Sequence, residues 1–338
     1  MRAAVVTGPG GPDVIKLRDI RTSELMPGFA RVAISYAAVN AADMWTRRPG
    51  IVESYPHIPG SDGAGHLVDA NGPIDVPIGA RVLVNPALQL ATGERHYEDP
   101  FRDIVDILGY STPGTCAEYC DVPIENIYQV PEHLSLKQAA AIPLTFLTAW
   151  RMLHTRGQLR VGEKALIWGT SGGLGLAGSI LARHLGGHVV ATAGSSADEE
   201  ALRSLGFDVV RYDHDDLSGQ VARASGGQVD LIFDSVAGSQ WTNSLQTLRP
   251  GGRVVLAGTT GGDEVTHDLS DFFYYQWALL GCRMGDERDF SQMIRAVSSG
   301  LLAPVVGLTF RLEELSAAHE AFEGGSVFGK ILVNVAGE

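Results

Sequence analysis

Residues 165–175 read Ala165-Leu166-Ile167-Trp168-Gly169-Thr170-Ser171-Gly172-Gly173-Leu174-Gly175, an apolar run that breaks into a glycine-rich turn. Apolar residues then follow at helical spacing, at Ala177, Ile180, Leu181 and Leu185. The pattern is strand, glycine turn, helix. Such a turn lets backbone approach a pyrophosphate without Cβ clashes, while the first N–H groups and the positive end of the helix dipole face the anion. Ser171, Gly172, Gly173 and Leu174 are the residues predicted to cradle it. Against G-x-G-x-x-G, Thr170 stands at the first glycine.

Outward from this turn, apolar strands begin near Ala165, Val189, Val209, Asp230 and Arg253, with helix-like segments between them. Parallel strands need crossovers, so this rhythm predicts an α/β doubly wound parallel sheet of the Rossmann type over 126–299. The second strand ends at Gly194-Ser195-Ser196, where an acid would hold an unphosphorylated ribose. Its absence, and two hydroxyls able to donate to a 2′-phosphate, predict NADPH (NADP+) over NADH; Asp198, Glu199 and Glu200 are assigned to the start of the next helix. Residues 1–125 carry short alternating runs punctuated by Gly and Pro and read as a separate β-rich domain, to which 300–338 is expected to return. Between the two, Ser135 can cap a helix and Pro143 can restart one.

The 338 residues hold 26 cationic against 39 acidic side chains, a net charge of −13, which disfavours nucleic acid and anionic lipid as partners. No apolar run approaches a membrane span, three cysteines make no disulfide framework, and the chain starts on strand-like sequence; a cytoplasmic protein is expected.

Several motifs then coincide: Asn40-Ala41-Ala42-Asp43, Pro59-Gly60-Ser61-Asp62-Gly63-Ala64-Gly65, Ala117-Glu118-Tyr119, Thr148-Ala149-Trp150, the glycine turn, Val229-Asp230-Leu231-Ile232-Phe233-Asp234-Ser235-Val236, Pro250-Gly251-Gly252-Arg253 and Phe328-Gly329-Lys330. Together they resemble the medium-chain dehydrogenase/reductase superfamily, in the zinc-free branch similar to quinone oxidoreductases. The resemblance implies a GroES-like β-rich catalytic domain packed on the Rossmann domain, with the active site between them. Where zinc-dependent members carry Cys, His, and Cys or an acid, this chain has Asn40, Ser61 and Leu144, so no metal is expected. Without a Lewis acid, simple alcohol oxidation is disfavoured. Hydride addition to a conjugated carbonyl (an enone or enoyl-thioester) or to a quinone is favoured, because the developing charge is delocalised. The alternatives are a cofactor-binding redox sensor or structural protein without turnover and, third, a zinc-type alcohol dehydrogenase.

Three residues stand out for chemistry: Asn40, whose amide could donate to a developing oxyanion; Tyr55, as a proton donor; and Asp43, as the family's acid. Each has a structural alternative: a turn-stabilising Asn, a pocket-wall Tyr and a loop-holding Asp. Trp45 stands where similar quinone reductases carry Tyr, and Arg47 and Arg48 are read as solvated, or as attracting an anionic substrate. By resemblance, Thr148 meets the nicotinamide carboxamide, Tyr212 the 2′-phosphate side, Ser235 and Val236 the ribose, Ala257 and Gly258 the nicotinamide face, and Lys330 approaches the cofactor from the returning tail. The aromatic run Phe272–Trp277 is read as cleft, dimer contact or core, and Ala278–Cys282 as a strand pairing across a two-fold axis in a homodimer. Loops 45–57, 86–113 and 261–277 are expected to shape the substrate pocket.

Overall fold

The computed structural model describes residues 1–88 and 106–337; much of the expected pocket loop 86–113 lies outside the described residues. The chain forms two compact units, Met1–Leu144 with Gly285–Glu338, and Thr145–Met284.

The second unit is built on a six-stranded sheet in the spatial order Asp208–Arg211, His188–Ala193, Lys164–Ile167, Val229–Asp234, Leu248–Leu256, Ala278–Gly281. Every neighbouring pair is parallel. Strands buried on both faces read as continuous apolar runs, and Ala165–Ile167 and Leu231–Phe233 are fully buried. Val190, Ile232, Val254 and Trp168 centre the core on one face. Ala278–Gly281, the strand expected to pair across a two-fold axis, pairs on one side with Leu248–Leu256 and forms one edge of the sheet.

The first unit is β-rich and GroES-like. Its main sheet runs Val306–Arg311, Lys330–Asn334, Phe29–Ala38, Asp62–Ala70, Arg81–Val84, Ile127–Gln129, with Tyr119–Pro123 also on Phe29–Ala38. The carboxyl-terminal strand is thus interior, antiparallel to Phe29–Ala38 and parallel to Val306–Arg311. Segments 126–144 and 285–299, expected with the Rossmann unit, group with this one. Ile127–Gln129 pairs antiparallel with Arg81–Val84. The helix Glu287–Ser299 inserts the fully buried Phe290 against Tyr128 at 4.7 Å between ring centroids, and the Tyr128 hydroxyl is 3.0 Å from Ser291 Oγ. Ser135 caps Leu136–Ala139 in a capping box with Gln138, and Pro143 opens the next helix, Pro143–Trp150.

Candidate active site and cofactor cradle

In the first unit, Asn40 caps the short helix Ala41–Trp45 and Asp43 closes the capping box. Asp43 accepts from Asn40 N–H at 2.7 Å and from Gly60 N–H at 3.1 Å, which ties the helix to the Pro59-Gly60 loop. Asp62 lies beside them, completely buried. Its Oδ1 accepts from Leu144 N–H at 2.7 Å, and its Oδ2 accepts from Asn40 Nδ2 and pairs with Lys330 Nζ, both at 2.9 Å. Lys330 also donates to Asn40 Oδ1. All four side chains are less than 5% exposed, so each charge is compensated by a direct partner, as burial requires. Burial pushes the Asp43 carboxyl up to about 7, against the Asn40 and Gly60 N–H groups and the Lys330 charge, which favour the carboxylate.

The structure brings Asn40, Asp43 and Lys330, read in the sequence as separate candidates, together around Asp62, which the sequence reading does not single out. Asp62 was legible only as part of the Pro59–Gly65 motif. The expected role of Asn40 as a free donor is corrected: its amide hydrogens are directed at Asp62 and, at 3.4 Å, at the Ala38 carbonyl. Tyr55 is likewise committed, its hydroxyl donating to the Thr46 carbonyl at 3.1 Å. Trp45 packs edge-on to Tyr110, 6.4 Å between centroids. Arg47, read as a surface residue, is buried, paired with Glu323 at 2.5 Å and donating to the Gly10 carbonyl at 3.0 Å. Next to it lies the buried His319, whose pKa is lowered to about 3 by desolvation and by the Arg47 charge.

In the second unit, the strand Lys164–Ile167 leads into Gly169, at φ +74, where a Cβ would meet Ser235 Oγ at 2.6 Å. Gly169 therefore takes the left-handed position, and Thr170 can replace the first glycine of the motif: buried, it donates its hydroxyl to the Thr192 carbonyl on the neighbouring strand. The helix Gly173–His184 starts at Gly172 with no side-chain cap, while the Gly172 N–H closes the turn on the Gly169 carbonyl at 3.0 Å, so the first-turn N–H groups that follow have no capping side chain. This cradle fits a dinucleotide pyrophosphate. Two further loops interlock at the strand ends. Asp234 accepts from Val236 and Ala237 N–H at 2.8 and 2.9 Å, Ala257 N–H donates to the Asp234 carbonyl at 3.0 Å, and Ser235 donates to the Trp168 carbonyl at 3.2 Å. A Cβ on Gly258 would meet the Ser235 carbonyl oxygen at 2.7 Å. Thr148 is buried in the helix Pro143–Trp150.

Beyond the second strand, the Ser195 hydroxyl is not free to donate to a phosphate as expected: it caps the helix Ser196–Ser204 and donates to Asp198 Oδ2 at 2.7 Å. Ser196 is exposed. Tyr212 stacks at a tilt on Trp168, 5.4 Å between centroids, with its hydroxyl against Gly194.

Residues 26–132 match the alcohol dehydrogenase GroES-like domain family, and residues 173–299 the zinc-binding dehydrogenase family. The quinone oxidoreductase of Homo sapiens is 28% identical over 98% of this chain and 97% of its own length. The 2-haloacrylate reductase of a Burkholderia species is also 28% identical, over 98% of each chain. A crystal structure of an NAD-dependent alcohol dehydrogenase superposes with a TM-score of 0.93 at 35% identity, covering 99% of this chain and 100% of that one. The chain belongs to the medium-chain dehydrogenase/reductase superfamily and is quinone oxidoreductase-like within it. It is an oxidoreductase of that family, with a Rossmann fold that binds a nicotinamide dinucleotide.

Proposed function

We propose that this protein is a zinc-independent reductase that adds hydride to a conjugated carbonyl, such as an enone or enoyl-thioester, or to a quinone. The observation that carries the reading is the Lys330–Asp62–Asn40 cluster. At the places where zinc-dependent relatives ligate the metal stand an amide, a hydroxyl and an alkyl group, and the Lys330 ammonium sits 2.9 Å from Asp62. Among the described residues no group of three or more His, Cys, Asp or Glu could hold a metal ion. That donor set does not fit zinc, and a fixed ammonium opposes a divalent cation beside it.

When bound, the reduced nicotinamide supplies the hydride. The glycine turn holds the pyrophosphate, and Ser235, Val236, Ala257 and Gly258 line the ribose and nicotinamide positions. In the GroES-like unit, Asn40 and Asp43 act as positioning residues for Lys330, whose third N–H is the donor we assign to the developing enolate or quinol oxygen. The sequence expectation of NADPH now rests on Ser196 and Tyr212, since Ser195 is committed to Asp198. We place the protein in the cytoplasm as a homodimer that associates through the Rossmann sheet edge, where Leu279 is exposed. No helix among the described residues is long and apolar enough to cross a membrane.

The test is oxidation of NADH and NADPH by a panel of enones, enoyl-thioesters and quinones, with and without chelator. Chelator-resistant turnover on at least one is expected. Cofactor binding with no oxidation anywhere on the panel would favour the sensor, and stoichiometric zinc with secondary-alcohol oxidation would restore the alcohol dehydrogenase.

A further inference from the structure

The carboxyl end of the strand His188–Ala193 carries a charge pattern that pyrophosphate binding does not require. Ligands of a doubly wound sheet bind beyond the carboxyl ends of its strands, and an adenosine ribose lies beyond the second strand. There Ser195 Oγ accepts from Asp198 N–H at 3.1 Å and gives its single proton to Asp198 Oδ2 at 2.7 Å, which fixes that carboxylate on the first turn of the helix Ser196–Ser204. Gly194 admits the Tyr212 hydroxyl, because a Cβ at that position would collide with it. The neighbouring guanidinium, Arg211, is already engaged: Asp213 accepts from it at 2.8 and 2.5 Å, and Glu199 lies at 3.5 Å. Burial, with the charges of Asp198 and Asp213 close by, raises the pKa of the Tyr212 phenol, so the Asp198 charge is felt at that hydroxyl. Arg203 also donates to Glu199, at 3.0 Å, so the two guanidiniums here are taken up by Glu199 and Asp213, while Asp198 holds the Ser195 hydroxyl.

A 2′-phosphate brings a charge of about −1.5 to −2 and needs donors or cations. A 2′-hydroxyl needs one acceptor, which a fixed carboxylate supplies as a charge-assisted hydrogen bond. We infer that Asp198, held by Ser195, selects the unphosphorylated ribose, so that the protein binds NADH in preference to NADPH. The inference rests on the Rossmann unit's being the dinucleotide site, and it reverses the expectation drawn from the strand end alone. The acid is present, displaced from the end of the strand into the helix.

Titration of NADH and NADPH fluorescence on the wild-type protein, without substrate, tests the inference. NADH should bind roughly tenfold or more tightly at low salt, and the gap should narrow as salt screens the repulsion. Asp198→Asn should bring the two affinities close together, and Asp198→Arg should reverse them. Parallel calorimetry with 5′-AMP and 2′,5′-ADP confines the comparison to the ribose end. NADPH binding as tight as NADH in the wild type, or a ratio unmoved in Asp198→Asn, overturns the selection by Asp198. Failure of both dinucleotides to bind overturns the cofactor site itself, and the inference with it.

Discussion

The two units handle charge in opposite ways. In the GroES-like unit, Asp62 and Lys330 are buried and joined through Asn40, and every contact converges on one side-chain geometry. In the Rossmann unit, Asp198, Glu199, Arg211 and Asp213 sit at a partly exposed rim with carboxylates in excess. Buried charge must be balanced locally, because desolvation costs several kcal/mol per ion, whereas rim charge can stay unbalanced because water screens it. The buried set therefore holds a shape, and the rim set is available to discriminate between ligands.

The largest effect that can test this contrast is on stability. Asp62→Ala strands the Lys330 ammonium and removes the acceptor shared by the Asn40 amide and the Leu144 N–H, and should cost roughly 3–5 kcal/mol in denaturant unfolding. Asp198→Ala should change the same measurement by no more than about 0.5 kcal/mol, and equal costs at the two positions would erase the distinction. The next effect is on turnover. Lys330→Gln keeps a donor of similar reach but loses the charge; it should lower kcat by about 10²–10³ while cofactor affinity stays near that of the wild type. A loss confined to cofactor affinity would instead return Lys330 to the role first expected of it.

A smaller effect is on pH dependence. The Asp43 carboxyl, raised in the folded state, stays protonated where the unfolded chain has ionised, so its contribution to stability falls as pH rises from about 4 to about 7. His319, depressed to about 3, stays neutral where the unfolded imidazole is charged, so its contribution is lost as pH falls from about 6.5 toward 3. The two oppose each other between about pH 4 and 6.5. Removing the first with Asp43→Asn should tilt the stability profile, relative to wild type, upward with pH by up to about 1.4 kcal/mol per unit in that window. Parallel wild-type and Asp43→Asn profiles would mean that Asp43 does not titrate in this range.

What the chain revealed before its structure follows from how local each signal is. The glycine turn, the first four strand starts of the Rossmann unit and the Ser135 cap are set by neighbours within a few residues and are found where expected, whereas the fifth strand starts at Leu248, five residues before the expected Arg253. The place of Glu287–Ser299 is not local: its apolar face reads the same whichever unit covers it, and only the contact of Phe290 with Tyr128, far back in sequence, decides. The site divides along the same line. Asn40 and Asp43 stand out because their capping box lies within one motif, whereas the bond from Asn40 to Asp62 and the burial of Arg47 depend on partners distant in sequence. Ser195 misled for a different reason. The strand end carries no acid, and the carboxylate that takes the Ser195 hydrogen bond, Asp198, lies three residues further on, where it reads equally well as a helix-start residue.

Lys330 reaches Asn40 across 290 positions of chain, through a strand wedged between Phe29–Ala38 and Val306–Arg311. A ribosome must therefore deliver the whole dinucleotide-binding half before the ammonium can dock, and until then the nascent GroES-like half carries the Asp62 carboxylate without its countercharge. Assembly order is built into the topology: the cofactor half can mature early, and the polar cluster closes only once the returning strand is threaded home.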